Sequence, residues 1–159
     1  MPVLRSLSHD DLDDLLDVQR EGAVAGMGHF FPQDTHPFPT ERIRERWTRE
    51  IDGADVDCFA VVEEGRIRGF AALRGSELLH FGTAVDTWGT GLAGRAHDEL
   101  LDRLRGAGHA EASLRVFDEN VRAVRFYARR GWRATDVTSR SSFAPFPVLR
   151  RYERRLDDA

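Results

Sequence analysis

The groups able to do chemistry in this chain gather between Glu77 and Trp132. Trp88-Gly89-Thr90-Gly91-Leu92-Ala93-Gly94 opens an apolar-periodic segment, and Asn120-x-x-Ala123-x-x-Phe126-Tyr127-x-x-x-Gly131-Trp132 lies beyond it. A glycine-rich helix start presents several backbone N–H groups at the positive end of the helix dipole, which is what a pyrophosphate needs. The second stretch supplies a polar hook, Asn120, and a phenol, Tyr127. Together they point to a protein that holds a phosphate-bearing carrier and moves protons beside it. Glu77 and His80 sit at the start of a strand-like run and are the two candidate bases. Strict alternation along that strand puts them on opposite faces, so only one would line a given cleft, and Glu77 is preferred.

Composition removes several alternatives. All 23 basic residues are arginine, which excludes Schiff-base lysine chemistry and a P-loop lysine. Cys58 is the single cysteine, so no intramolecular disulfide forms and no zinc site is anchored. His29 and His36 lack a cysteine or acidic partner at metal-ligand spacing, and no metal is expected. A net charge of −4 gives no sign of nucleic-acid binding. No apolar run approaches the roughly 20 residues of a membrane span, and Met1–Arg5 leads into no apolar signal segment. The expectation is a cytoplasmic protein, a monomer or homodimer. With 159 residues, 41% of them hydrophobic, it should form a single domain over residues 1–159.

The elements that must position these groups are readable in outline. A short strand over 2–7 precedes a helix over about 9–24, with Ser8 as its cap and Leu12, Leu15, Leu16 and Val18 on its apolar face. Residues 26–39 break all periodicity and read as a long loop. Thr40 caps a second helix reaching about Glu50. Strands over 57–63 and 66–74 flank Glu64-Gly65, a hairpin signal. A strand over 77–84 follows, then a helix over 91–106 with Leu92, Ala96, Leu100 and Leu104 spaced by four. Strand, helix, strand and a last strand occupy 112–116, 119–130, 132–138 and 148–156. The fold class is α/β, antiparallel first, with a crossover helix later.

Gly89-Thr90-Gly91-Leu92-Ala93-Gly94 also matches G-x-G-x-x-G, the dinucleotide fingerprint, and Asp118 stands where a ribose-binding acid would. Three observations oppose that reading. Ala84–Trp88 separates the glycines from their strand, too few residues remain for two βαβαβ halves, and the preceding hairpin and helix pair have no place in such a fold.

The two motifs together resemble the GCN5-related N-acetyltransferase (GNAT) superfamily. Its pyrophosphate loop, Q/R-x-x-G-x-G/A, reads here Trp88-Gly89-Thr90-Gly91-Leu92-Ala93, with Trp88 departing from the first position. Its second signature, N-x-x-A-x-x-F-Y-x-x-x-G-F, matches from Asn120 to Gly131 and ends on Trp132 instead of phenylalanine. The resemblance implies a mostly antiparallel central sheet, flanked by helices and splayed between its two central strands. It implies acetyl-CoA as cosubstrate, its diphosphate on the amides of Gly89, Thr90, Gly91, Leu92, Ala93 and Gly94, with Arg95 and Asn120 helping. It also implies that Phe81 and Thr83 pair their backbones with the pantetheine arm.

The chemistry implied is acetyl transfer to a primary amine of a small molecule. Tyr127 would be the acid for the leaving thiol, and Glu77, at the offset from the glycine loop used by the histone-acetylating branch, the base. The loops over 26–39 and 139–147 would wall the acceptor site, through Phe30, Phe31, Asp34 and Phe143. Two rival functions are a peptide or protein N-terminal acetyltransferase and a non-catalytic acyl-CoA sensor.

Overall fold

A computed structural model describes residues 2–157. Its seven strands are β1 (Leu4–Ser6), β2 (Asp57–Glu63), β3 (Arg66–Arg74), β4 (Glu77–Thr83), β5 (Glu111–Phe117), β6 (Arg133–Arg140) and β7 (Val148–Arg155). They form one sheet in the order β1-β2-β3-β4-β5-β7-β6. All neighbours are antiparallel except β4 and β5. A parallel pair needs a crossover, here α3 (Leu92–Gly106). The remaining helices are α1 (Leu12–Met27), α2 (Thr40–Asp52) and α4 (Val121–Arg129). The mixed α/β class and the mostly antiparallel sheet read from the sequence are those observed.

Each face of the sheet has its own core. Leu12, Leu15 and Leu16 of α1 and Ile43 and Trp47 of α2 pack on Ala60, Phe70 and Ala72. On the other face Leu92, Ala96, Leu100, Leu101 and Leu104 of α3 pack with Tyr127 of α4 on Val61, Ala71, Leu78, Leu114 and Tyr152. The spacing by three and four that marked the helices is what presents these side chains as one stripe.

Local chemistry sets the boundaries. Glu64 and Gly65 both adopt positive φ (54° and 75°), as a two-residue hairpin turn requires. Asn120 caps α4, its Oδ1 accepting from Ala123 N–H at 3.3 Å. Several boundaries differ from expectation: α1 runs on to Met27, into the stretch expected as loop, and β1 is confined to Leu4–Ser6. Residues His9–Asp11 form a separate 3-10 turn before α1, tied by Arg5 to Asp11. Thr40 lies inside α2, and Pro39 holds the cap position.

Two irregularities shape the centre of the sheet. β4 and β5 pair only at Glu77↔Ser113 and Leu78↔Leu114, and then part. The second is a bulge between β3 and β4, where Ala72 pairs with His80 but Leu73 with Leu78. Leu79 is the extra residue. A bulge interrupts the two-residue alternation, so His80 shares a face with Glu77 instead of opposing it.

Candidate active site

The turn before α3 is built for anions. Gly89 and Gly91 take φ of +84° and +93°, a region that side chains disfavour. The first helical bond runs from Arg95 N–H to the Gly91 carbonyl at 3.1 Å, so the amides before it have no partner within the helix. Thr90 N–H is taken by the Thr87 carbonyl, and Leu92 N–H lies 3.4 Å from Thr90 Oγ1. The amides of Gly89, Gly91, Ala93 and Gly94 have no partner among the described residues. Those same four residues line a cavity of about 700 Å³ between this turn and α4.

The opposite wall is basic. Arg122, Arg125, Arg129 and Arg130 line it, with Val121 and Phe126. Three of the arginines fall on one stripe of α4, three and four residues apart. Arg130 stacks over Phe126 with its guanidinium carbon 4.0 Å from the ring centre. A Cβ on Gly94 would stand 2.7 Å from the Arg130 guanidinium, so the glycine is what admits that cation to the start of α3. Arg95 does not reach this cavity. Its guanidinium turns to Glu63, 2.7 Å away. Sequence reading missed the role of the α4 arginines; their three- and four-residue spacing was the available signal.

Trp88, the departure from the loop pattern, spans two elements. Its indole N–H donates to the Thr83 carbonyl at 3.0 Å, and Arg122 stacks on its ring at 3.5 Å. Burial lowers the pKa of Arg122. The indole therefore fastens the turn to the end of β4 on one side and to α4 on the other.

The edge of β4 is exposed where the strands part. Ala84 N–H bonds the Arg68 carbonyl, which fixes the alternation: the backbone groups of Phe81 and Thr83 point toward β5. No β5 residue pairs with them. Phe81 packs against Phe126, ring centres 6.0 Å apart. Next to Phe126 stands Tyr127, 8% exposed, edge-on to Trp132 at 5.9 Å. Its hydroxyl makes no hydrogen bond among the described residues, yet it is not among the sealed polar atoms. Burial pushes the phenol well above its usual pKa, so it keeps its proton.

The charged residues on the α1/α2 face form one cluster. Glu77, with a side chain 20% exposed, bonds Arg74 at 2.8 Å and pairs with Arg115 at 3.4 Å. His80 Nε2 contacts both Glu50 oxygens, at 2.9 and 3.1 Å. Burial lowers the pKa of His80 despite that carboxylate, leaving it neutral with Nε2–H donating to Glu50.

Aromatic side chains fasten the two loops to the rest of the fold. Phe30 is buried, and Phe30 and Phe31 pack on Phe117 at 5.2 and 5.5 Å. His29 Nε2 meets the Glu119 carbonyl at 2.8 Å. Phe143 packs with the α1/α2 core under the Arg42 guanidinium, and Asp34 is exposed. Phe30 therefore anchors its loop, whereas Phe31 and Phe143 remain part-exposed. No cluster of three or more metal-ligating side chains occurs among the described residues.

The model of the acetyltransferase (GNAT) family matches residues 24–132. Among solved structures, the chain is similar to a GCN5-related N-acetyltransferase from Rhodopseudomonas palustris (TM-score 0.78, 15% identity, 98% of this chain and 96% of that one). It is also similar to the PaiA N-acetyltransferase of Thermoplasma acidophilum in complex with coenzyme A (0.73, 18%, 96% and 97%). A third is the ribosomal-protein-S18-alanine N-acetyltransferase of Escherichia coli (0.71, 18%, 100% and 96%). No curated protein matches.

Proposed function

This chain belongs to the acetyltransferase (GNAT) family, and from that premise we propose that it is an acetyl-CoA-dependent N-acetyltransferase acting on a primary amine of a small molecule. One observation supports the reading: the four unpartnered amides share their cavity with Phe126, and Phe126 packs against both Phe81 on the unpaired edge of β4 and Tyr127.

The residues fit the cosubstrate. The amides of Gly89, Gly91, Ala93 and Gly94, with Arg130 beside them, would hold its diphosphate. The Phe81 carbonyl and Thr83 N–H would hold the pantetheine arm, since Trp88 already engages the Thr83 carbonyl. Acetyl-CoA supplies an activated acetyl group and a thiol leaving group. Glu77 takes a proton from the acceptor amine, and the Tyr127 hydroxyl gives one to the departing sulfur, so the net change exchanges a C–S bond for a C–N bond. The Phe81 amide is the donor available for the carbonyl oxygen.

The test is thiol release from acetyl-CoA across a panel of primary amines, with Tyr127→Phe alongside. Loss of one general acid predicts a fall in kcat of about 10²–10⁴-fold with CoA affinity retained. Unchanged turnover in Tyr127→Phe would remove the acid assignment. Tight CoA binding with no thiol release for any amine would replace the enzyme by a sensor.

A further inference from the structure

The α1/α2 core does not extend over the second half of the sheet. The core beneath α1 and α2 draws its strand residues from β2, β3 and β4 and takes none from β5, β6 or β7. On β5, Ala112, Leu114 and Val116 face the α3 core, so Ser113, Arg115 and Phe117 face the other way. Register places Glu153, Arg151 and Leu149 of β7 directly across from them, and Arg133 of β6 across from Glu153. Glu77 borders this face on β4, and Phe31 borders it at the end of β5.

Charge is unbalanced there. Arg115 and Arg151 are direct cross-strand partners, 46% and 44% exposed. Like charges directly opposite one another destabilise a sheet. Arg151 spends one donor on Glu153 at 3.0 Å. Arg115 is ion-paired with Glu77 at 3.4 Å, but its guanidinium makes no hydrogen bond among the described residues. With Arg74, Arg133 and Arg155 included, the arginines still outnumber Glu77, Glu111 and Glu153. An anion between the two guanidinium forks turns their repulsion into paired charge-assisted hydrogen bonds, and a carboxylate matches the fork geometry. Glu77, beside Arg115, suits an ammonium.

We propose that the acceptor is an amine that itself carries a carboxylate, its carboxylate held by Arg115 and Arg151, its amine at Glu77, and its apolar body against Phe117 and Phe31. This rests on the reading of the chain as an amine acetyltransferase and names the class of its second substrate. The acceptor resembles an amino acid in charge pattern, not a polycation.

The experiment compares matched pairs: L-phenylalanine, L-leucine and L-glutamate against their α-amides, with spermidine as the polycation. Acetylation is followed by thiol release, and binding by calorimetry with CoA present and absent. The expected result is kcat/KM at least tenfold higher for each acid than for its amide. In Arg115→Gln and in Arg151→Gln that ratio should collapse toward one, mainly through KM. Equal turnover of acids and amides, preference for spermidine, or CoA binding without turnover of any acid would overturn the proposal. If CoA does not bind, the acetyltransferase reading fails by itself. Calorimetry then decides the present claim: acid binding lost in Arg115→Gln upholds it, and absent acid binding overturns it.

Discussion

His97 and Trp132 make a sharp test of how the cavity walls are held. His97 is 1% exposed, and its Nε2 accepts the Trp132 indole N–H at 3.0 Å. One belongs to α3 and the other follows α4, so the bond ties together the two helices that flank the cavity. In His97→Leu the indole N–H is left buried without an acceptor, which costs about 1–3 kcal/mol. In Trp132→Phe the imidazole nitrogen is orphaned by a similar amount, and a cavity adds roughly 1–3 kcal/mol more. The double variant removes both polar partners and keeps only the cavity. It should therefore be more stable than the sum of the single variants predicts, by roughly 2–6 kcal/mol, both orphan penalties together. Urea unfolding monitored by circular dichroism measures all four proteins. Each kilocalorie should also move Tm by about 2–4 °C in a chain of this size. Additivity of the two substitutions within about 0.5 kcal/mol would show that the bond has no energetic role and refute the argument.

The same burial gives a pH dependence. The folded-state pKa of His97 is lowered by burial against the opposing pull of Asp98, and that of His80 is lowered in the same direction. The unfolded chain then binds protons first as pH falls. Stability is full above the ordinary histidine pKa of about 6.5 and declines below it, and the decline in urea midpoint from pH 7 to 5 should be shallower in His97→Leu. Arg130→Gln should weaken CoA binding about 10–150-fold, the worth of one hydrogen bond to a charged group, by calorimetry; unchanged affinity would place the diphosphate elsewhere. Gly91→Ala, at φ +93°, should cost about 1–2 kcal/mol in urea unfolding and weaken CoA binding further than it weakens the fold.

Periodicity and turn chemistry made most of the fold legible. The apolar spacing of Leu92 to Leu104, the Glu64-Gly65 turn and the Asn120 cap are local signals, and the local structure obeys them. The glycine turn was legible for the same reason, because its helix start needs no distant partner. What escaped depends on contacts far along the chain. His80 shares a face with Glu77 because Leu79 is squeezed out of register against β3, and a strand read in isolation carries no sign of that. Arg95 leaves the turn for Glu63, and the basic wall comes from α4 instead. Trp132 stands where the resembled motif has phenylalanine, and stays aromatic. The structure shows that its indole needs a buried acceptor, which His97 supplies.

The parting of β4 from β5 has a mechanical consequence. Two residue pairs stitch the slab β1–β4 to the slab β5–β7–β6 along the backbone; further ties include helices packed on top, the Glu77–Arg115 ion pair, Phe143 under Arg42, and the clasp of Phe30, Phe31 and His29 on Phe117 and Glu119. A ligand chain laid into that seam acts as mortar, bonding to an edge that otherwise has no neighbour. Saturation at a hundred times Kd adds about 2.7 kcal/mol to stability. Amide hydrogen exchange should slow on both banks of the seam at once, with Phe81 and Thr83 N–H responding most.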